Sequence, residues 1–179
     1  MRRVLSRVNF QSNDFELFNL AQKFNQNPVA IDLRWKELQR ESHPDKFVTQ
    51  GAAAQRLAMQ WSVRINEAYR RLKDPCRRGA YLCELNGAQV NAEDNTAMPA
   101  NFLMLQIEWR EALDEATTLD NMHEIALQAN KYMCIQLSKI EQAIDVENDF
   151  KQAADHVRAL MFVERFTTEV DMRIDQLQQ

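Results

Sequence analysis

An all-α protein in two modules is what this sequence predicts, and three observations carry that expectation. Glycine and proline supply only 3 and 4 of the 179 residues, against a usual combined share of about 12%. Turns and hairpins consume those residue types, so a sheet-rich fold would lack its connections. Apolar residues also recur at steps of three and four over several long stretches, the spacing of amphipathic helices. Finally, residues 1–87 hold 15 Lys+Arg and 9 Asp+Glu, whereas residues 88–179 hold 7 and 17. Such a split points to two modules with different partners.

Composition narrows the possibilities further. With 45% apolar and 27% charged residues, the chain has the make-up of a folded globular protein rather than a disordered one. Its apolar runs fall far short of the roughly 20 residues that cross a bilayer, so no membrane partner is expected. Cys76, Cys83 and Cys134 form no metal-ligand spacing and cannot all pair, as in a reducing compartment.

Residues 1–13 read as an N-terminal tail. Arg2, Arg3 and Arg7 without an acid before Asp14 have the shape of a mitochondrial targeting segment, but the next module begins almost at once. Asn13 or Asp14 caps a short helix carrying Phe15, Leu17, Phe18 and Leu20; Glu16 is read as too early for a capping box on Asn13. Asn27-Pro28 breaks the chain. Ile31, Trp35 and Leu38 then mark a helix to about Glu41, with Arg34, Lys36 and Arg40 on its other face.

His43-Pro44 stops that helix, and a polar loop runs to Gly51. The helix over 52–73 places Leu57, Trp61, Ile65, Ala68, Tyr69 and Leu72 on one stripe, and packs antiparallel to its predecessor. Asp74-Pro75 ends it, and Arg77–Leu85 forms a short fourth helix before Asn86-Gly87. The first module is therefore 14–87. Residues 88–99 read as a linker, and 100–179 as three amphipathic helices over about 100–117, 119–145 and 148–177, an antiparallel bundle.

Nothing in this layout supports catalysis. The histidines, His43, His123 and His156, sit in no nucleophile elbow or glycine-rich turn, and no HExxH, CxxC or phosphate-cradling loop occurs. His123 and His156 read as ordinary helix residues, and Cys76 and Cys83, seven apart, as packing on one helix face. No catalytic residue, metal or cofactor is expected. Nucleic acid is not an expected partner either. The basic residues of the first module are interleaved with Asp32, Glu37, Glu41, Asp45 and Glu67, and the second half repels phosphates.

The local feature that stands out is His43-Pro44-Asp45-Lys46-Phe47 between two helices. Pro44 fixes its own φ near −65° and forces His43 out of the helix, so the turn begins rigidly. An imidazole and a carboxylate at its head, beside a basic helix face and Lys46, suit a protein partner of the opposite charge pattern. A plain helix-ending turn capped by Asp45 accounts for the tripeptide equally well.

The stretch from Phe15 to Leu85 resembles a J domain. Arg40-Glu41-Ser42 leads into HPDKF at 43–47, followed by Ile65-Asn66-Glu67-Ala68-Tyr69, Leu72 and Asp74-Pro75. Over roughly 14–177 the chain resembles the HscB (Jac-type) family of iron–sulfur cluster co-chaperones. Arg78, Tyr81-Leu82 and Phe102-Leu103-Met104 with Glu108, Arg110-Glu111 and Leu113-Asp114-Glu115 carry that wider match. Asn19 stands where the family often has glycine, and Gly79 where it often has alanine.

The resemblance implies two surfaces. His43, Pro44, Asp45 and Lys46, with Arg34, Lys36 and Arg40, would engage the ATPase domain of an HscA-type chaperone and speed its hydrolysis. Leu103, Met104, Ile107, Glu108, Glu111, Glu115 and Phe162 would hold an IscU-type scaffold protein. Spacing agrees with the second set: all but Phe162 lie along one side of a helix, apolar first and acidic after. Periodicity alone would place Leu103, Met104 and Ile107 in the bundle core. Yet five apolar residues among 102–107 exceed one buried stripe, and an exposed apolar patch rimmed by carboxylates marks a binding site. Phe162 rests on the resemblance alone. A bacterial cytoplasmic location follows in preference to a mitochondrial one. The competing function is a general J protein delivering unfolded clients to a housekeeping chaperone.

Overall fold

The computed structural model describes residues 9–90 and 98–178. Its elements are α1 (Asp14–Phe18), α2 (Pro28–Ser42), a 3-10 turn (Pro44–Gln50), α3 (Ala52–Lys73) and α4 (Pro75–Leu85). After these come α5 (Ala100–Glu115), α6 (Leu119–Glu141), a π-helical turn (Gln142–Glu147) and α7 (Phe150–Leu177). No strand occurs among the described residues, as the scarcity of turn formers predicts. The chain divides into two compact units after Tyr81, inside α4. Most of the expected tail, 1–8, and most of the expected linker, 91–97, lie outside the described residues.

In the first unit, α1 is fixed by its cap. The Asn13 side chain accepts the Glu16 N–H at 2.9 Å, and the Glu16 carboxylate accepts the Asn13 N–H at 3.1 Å. The capping box excluded on sequence is therefore present. Three residues beyond the cap is the N3 position, which is where the reciprocal bond needs a glutamate. Asn19 closes α1 at φ 52°, a left-handed cap that glycine and asparagine adopt most cheaply.

Asp14 anchors this helix to α3. Its carboxylate is fully buried and paired with Arg64 at 2.5 Å and Arg71 at 2.8 Å. The Asp14 N–H donates to the Tyr81 hydroxyl at 3.0 Å, and the Arg71 guanidinium lies over the Tyr81 ring. Burying a carboxylate is tolerable only with such company. Arg78, also buried, donates to Phe24 O and Leu72 O, satisfying a carbonyl at the end of α3.

The hairpin of α2 and α3 is the frame of this unit. Ile31 and Leu38 on α2, and Ala58, Trp61, Ile65, Ala68 and Leu72 on α3, are buried. The expected stripe on α3 is thus shifted by one residue at its start. Leu57 is 40% exposed, because only Ala58 keeps the three-and-four rhythm that the other core positions set. Tyr69 is half-buried. The expected loop is ordered as the 3-10 turn, packed on α3, with Phe47 buried.

In the second unit α6 and α7 pair along their lengths, with α5 against α6. Buried Ala129, Ala153 and Ala154 leave room for close helix approach. Along α7, Val157, Leu160, Val163, Phe166 and Val170 continue the buried stripe. One polar pair interrupts the apolar interior: His156 Nδ1 and buried Gln136 Oε1 lie 2.9 Å apart. Cys83 is buried and its thiol is pushed up to about 11, so it packs rather than reacts. Cys76 is buried as well.

Two outcomes follow from these polar contacts. Asp14→Asn leaves Arg64 and Arg71 without their counter-charge and should lower unfolding free energy by about 3 kcal/mol in urea titration. Burial, with the charge of Lys139, holds the His156 imidazole below its usual value, against a weaker pull from Asp155. A depressed pKa means the unfolded chain takes the proton first, so this group's stabilisation holds above about pH 6.5 and drains as pH falls. The urea midpoint should drop between about pH 7 and pH 5, and His156→Gln should flatten that slope.

Candidate functional site

The first candidate surface begins at the end of a clamped hairpin. Asp32 on α2 accepts from Lys73 Nζ at 2.7 Å and from the Tyr69 hydroxyl at 3.0 Å. Trp35 Nε1 and Gln39 Nε2 both donate to Asn66 Oδ1, at 2.9 and 2.6 Å, and Trp35 stacks on Tyr69. These contacts advance along α2 as they retreat along α3, so they fix the antiparallel register. Hydrogen bonding from Lys73, then from Tyr69, holds the Asp32 carboxyl below its usual range; the same bond from Tyr69 raises that phenol. Asn66 and Gln39 carry no recognisable signal as single residues, because their value depends on that register.

At the clamped end, α2 stops with Ser42, which is fully buried and donates its hydroxyl to Leu38 O. His43 leaves the helix at φ −60°, ψ 126°, ending α2 and beginning the 3-10 turn. Its Nδ1 accepts the Asp45 N–H at 3.3 Å, so the imidazole, not the Asp45 carboxylate, supplies the cap. The Asp45 carboxylate stands 3.5 Å from Nδ1 and is 85% exposed, while the His43 side chain is 57% exposed. Pro44 is half-buried and Lys46 exposed. Two polar groups of fixed separation are therefore offered to solvent from a turn seated by Phe47.

The basic residues of α2 do not all join this turn. Lys36 and Arg40 are exposed and one turn apart on one face. Arg34 lies on another side, its side chain 16% exposed and bound to Glu37 at 3.0 Å. Sequence reasoning missed what completes the exposed face: Val29 and Leu33 are 63% and 58% exposed and continue the Lys36–Arg40 stripe. Their uncovered apolar area is an additional mark of a docking surface.

The second candidate surface lies on α5. Phe102, Trp109 and Leu113 are buried on one side of this helix, with Leu105 half-buried beside them. On the opposite side, Met104 and Ile107 are 63% and 57% exposed. Glu108, Glu111 and Glu115 are also exposed and extend the same side toward the C-terminal end. Leu103 is half-buried against the cluster of Met98, Phe102 and Ala159. Met104 and Ile107 are therefore not core, contrary to what periodicity alone suggested. Phe162, on α7, is half-buried among Phe102, Trp109 and Phe166, so it packs on the buried side of α5 and is not brought together with Met104 and Ile107.

With both surfaces defined, known proteins supply the comparison. Residues 98–171 match the family described as HSCB C-terminal oligomerisation domain. The Co-chaperone protein HscB homolog of Burkholderia cenocepacia is 37% identical over 174 residues, 96% of this chain and 99% of the relative. The chain belongs to the HscB family of J-type co-chaperones of iron–sulfur cluster assembly. The homologue from Burkholderia thailandensis is 39% identical over the same share. Chaperone HscB from Vibrio cholerae matches in structure with TM-score 0.82 at 31% identity, covering 93% of this chain and 99% of that one. Human co-chaperone HscB shares the fold at TM-score 0.84 and 23% identity, over 96% of this chain and 84% of that one.

Within the HscB family one of this chain's two departures has a local explanation. Asn19 occupies a left-handed cap where glycine is common, and asparagine is the next cheapest residue there. Gly79 sits inside α4, where glycine is less stable than alanine, and nothing in the structure explains it. Among the described residues no group of His, Cys, Asp and Glu could hold a metal ion, and no helix is long and apolar enough to cross a membrane.

Ile107→Ala and Met104→Ala, on the uncovered side of α5, should change unfolding free energy by no more than about 0.5 kcal/mol. Trp109→Ala should cost about 3–5 kcal/mol. Chemical denaturation of the three variants checks the assignment of the two sides.

Proposed function

We propose that this protein carries an IscU-type iron–sulfur scaffold to an HscA-type chaperone and stimulates that chaperone's ATPase, in the bacterial cytoplasm. The module over 14–87 acts on the chaperone. His43, Pro44, Asp45 and Lys46 meet its ATPase domain, with Lys36 and Arg40 supplying electrostatic docking. Arg34, engaged by Glu37, contributes chiefly to the shape of α2. The module over 100–179 holds the scaffold through Leu103, Met104, Ile107, Glu108, Glu111 and Glu115; the resemblance adds Phe162, which packs on the buried side of α5.

The observation that carries this reading is the pair of exposed side chains, His43 and Asp45, held in fixed relation at the end of a clamped hairpin. Such a pair does no bond chemistry here. It acts by binding the hydrolysis-competent state of the ATPase better than the resting state, which shifts that population. A tenfold acceleration needs only about 1.4 kcal/mol of differential stabilisation, within reach of a few charge-assisted hydrogen bonds. Holding the scaffold on the same chain raises its effective concentration at the chaperone.

Asp45→Asn removes the charge from an exposed side chain, so helicity and scaffold affinity should be unchanged. Steady-state ATP turnover by the chaperone should lose its stimulation. Retained stimulation would contradict the assignment. Binding of denatured model clients in preference to folded scaffold would favour the general J protein instead. Alanine at Leu103, Met104 and Ile107 together should weaken scaffold binding by about 2–4 kcal/mol in calorimetric titration.

A further inference from the structure

Between α5 and α7 lies a cavity of about 160 Å³ whose chemistry differs from the acidic face beside it. Phe102, Phe162 and Phe166 line its apolar part, with Phe102 edge-on to Phe162 at 5.7 Å. Three arginines, Arg110 from α5 and Arg158 and Arg165 from α7, also line it. Residues 88–179 contain only 7 Lys+Arg against 17 Asp+Glu, so three of the seven converge on one small cavity.

Their partners do not account for that convergence. Arg158 is bound by Asp155, yet its Nε is buried and without a hydrogen-bond partner. Arg110 and Arg165 have no ion pair among the described residues. Glu169, which lines the cavity too, has its carboxylate 3.6 Å from Arg173. Like charges brought together around one cavity repel, and among the described residues no carboxylate pairs with Arg110 or Arg165.

We propose that this groove receives a peptide segment of the partner protein in which an aliphatic or aromatic side chain is followed by a carboxylate. The apolar side chain packs on half-buried Phe162 and Met161 at the mouth of the cavity, and the carboxylate takes the planar forks of exposed Arg110 and Arg165, a geometry that guanidinium matches. The cavity lies below the roughly 300–1,000 Å³ of small-molecule sites, so one or two side chains fit and a cofactor does not. A polyanion is disfavoured by the surrounding acidic residues. The partner's identity rests on the scaffold reading above; the groove's chemistry does not.

The test uses the full chain, with arginine and lysine side chains and the Trp109 indole observed by nitrogen-15 NMR. An acetylated Leu-Glu amide peptide should shift the Arg110 and Arg165 Nε–H signals, its Leu-Gln counterpart should not, and R110Q/R165Q should abolish the response. In parallel, R110Q/R165Q should weaken scaffold binding about tenfold at low salt, with the gap closing at high salt, while stimulation of the ATPase without scaffold is unchanged. Equal responses to both peptides, no response to either, or a stronger response to inorganic phosphate would overturn the proposal. So would scaffold affinity unchanged in the folded variant, which leaves the scaffold reading standing. If wild-type protein binds no scaffold, that reading falls and the peptide arm alone decides the groove.

Discussion

The register between α2 and α3 is the constraint on which the first surface depends. Asp32 with Lys73 and Tyr69, then Trp35 and Gln39 with Asn66, lock the two helices at successive turns. Each bond alone is worth only about 1 kcal/mol. Their joint effect is geometric: a slide of one turn would break all of them together. Ser42, Phe47 and the cap from His43 then carry that rigidity into the 3-10 turn. An exposed histidine and aspartate on a floppy loop would lose ordering entropy with every encounter. Held this way, they have already lost it in folding.

The second surface follows from a different physical fact, an excess of apolar residues over buried positions. Helix α5 can turn only one side toward its neighbours, and Phe102, Trp109 and Leu113 fill it. Met104 and Ile107 are left uncovered, with exposed Glu108, Glu111 and Glu115 on the same side. The aromatic cluster around Phe162 connects the buried side to the groove rimmed by arginines. One module thus presents apolar, acidic and basic features in separate places.

Much of this was legible in the sequence, and the failures are instructive. Helix positions followed from the three-and-four rhythm, and the uncovered side of α5 followed from counting apolar residues in 102–107. The capping box on Asn13 was also within reach of the sequence, because Glu16 stands at N3, three residues past the cap. The sequence pattern puts Leu57 on the buried stripe, whereas helix phase selects Ala58. The placement of Arg34 away from Lys36 follows from helix geometry, since residues two apart do not share a face, whereas the interlock through Asn66 and the burial of Asp14 arise from tertiary register. No local pattern encodes which residues of two distant segments will face each other. The three arginines of the groove are separated by as many as 55 positions, Arg110 to Arg165, and meet only when α5 and α7 pack in one bundle.

Central to this account is the claim that two separate surfaces serve two different partners. Amide hydrogen exchange on the full chain, with chaperone and scaffold added singly and together, tests it most directly. The account predicts protection by the chaperone over the end of α2 and the turn at 43–47, protection by the scaffold over the uncovered side of α5, and the sum of both in the ternary mixture. Protection of one common region by both partners, or loss of one footprint when the other partner is added, would contradict it.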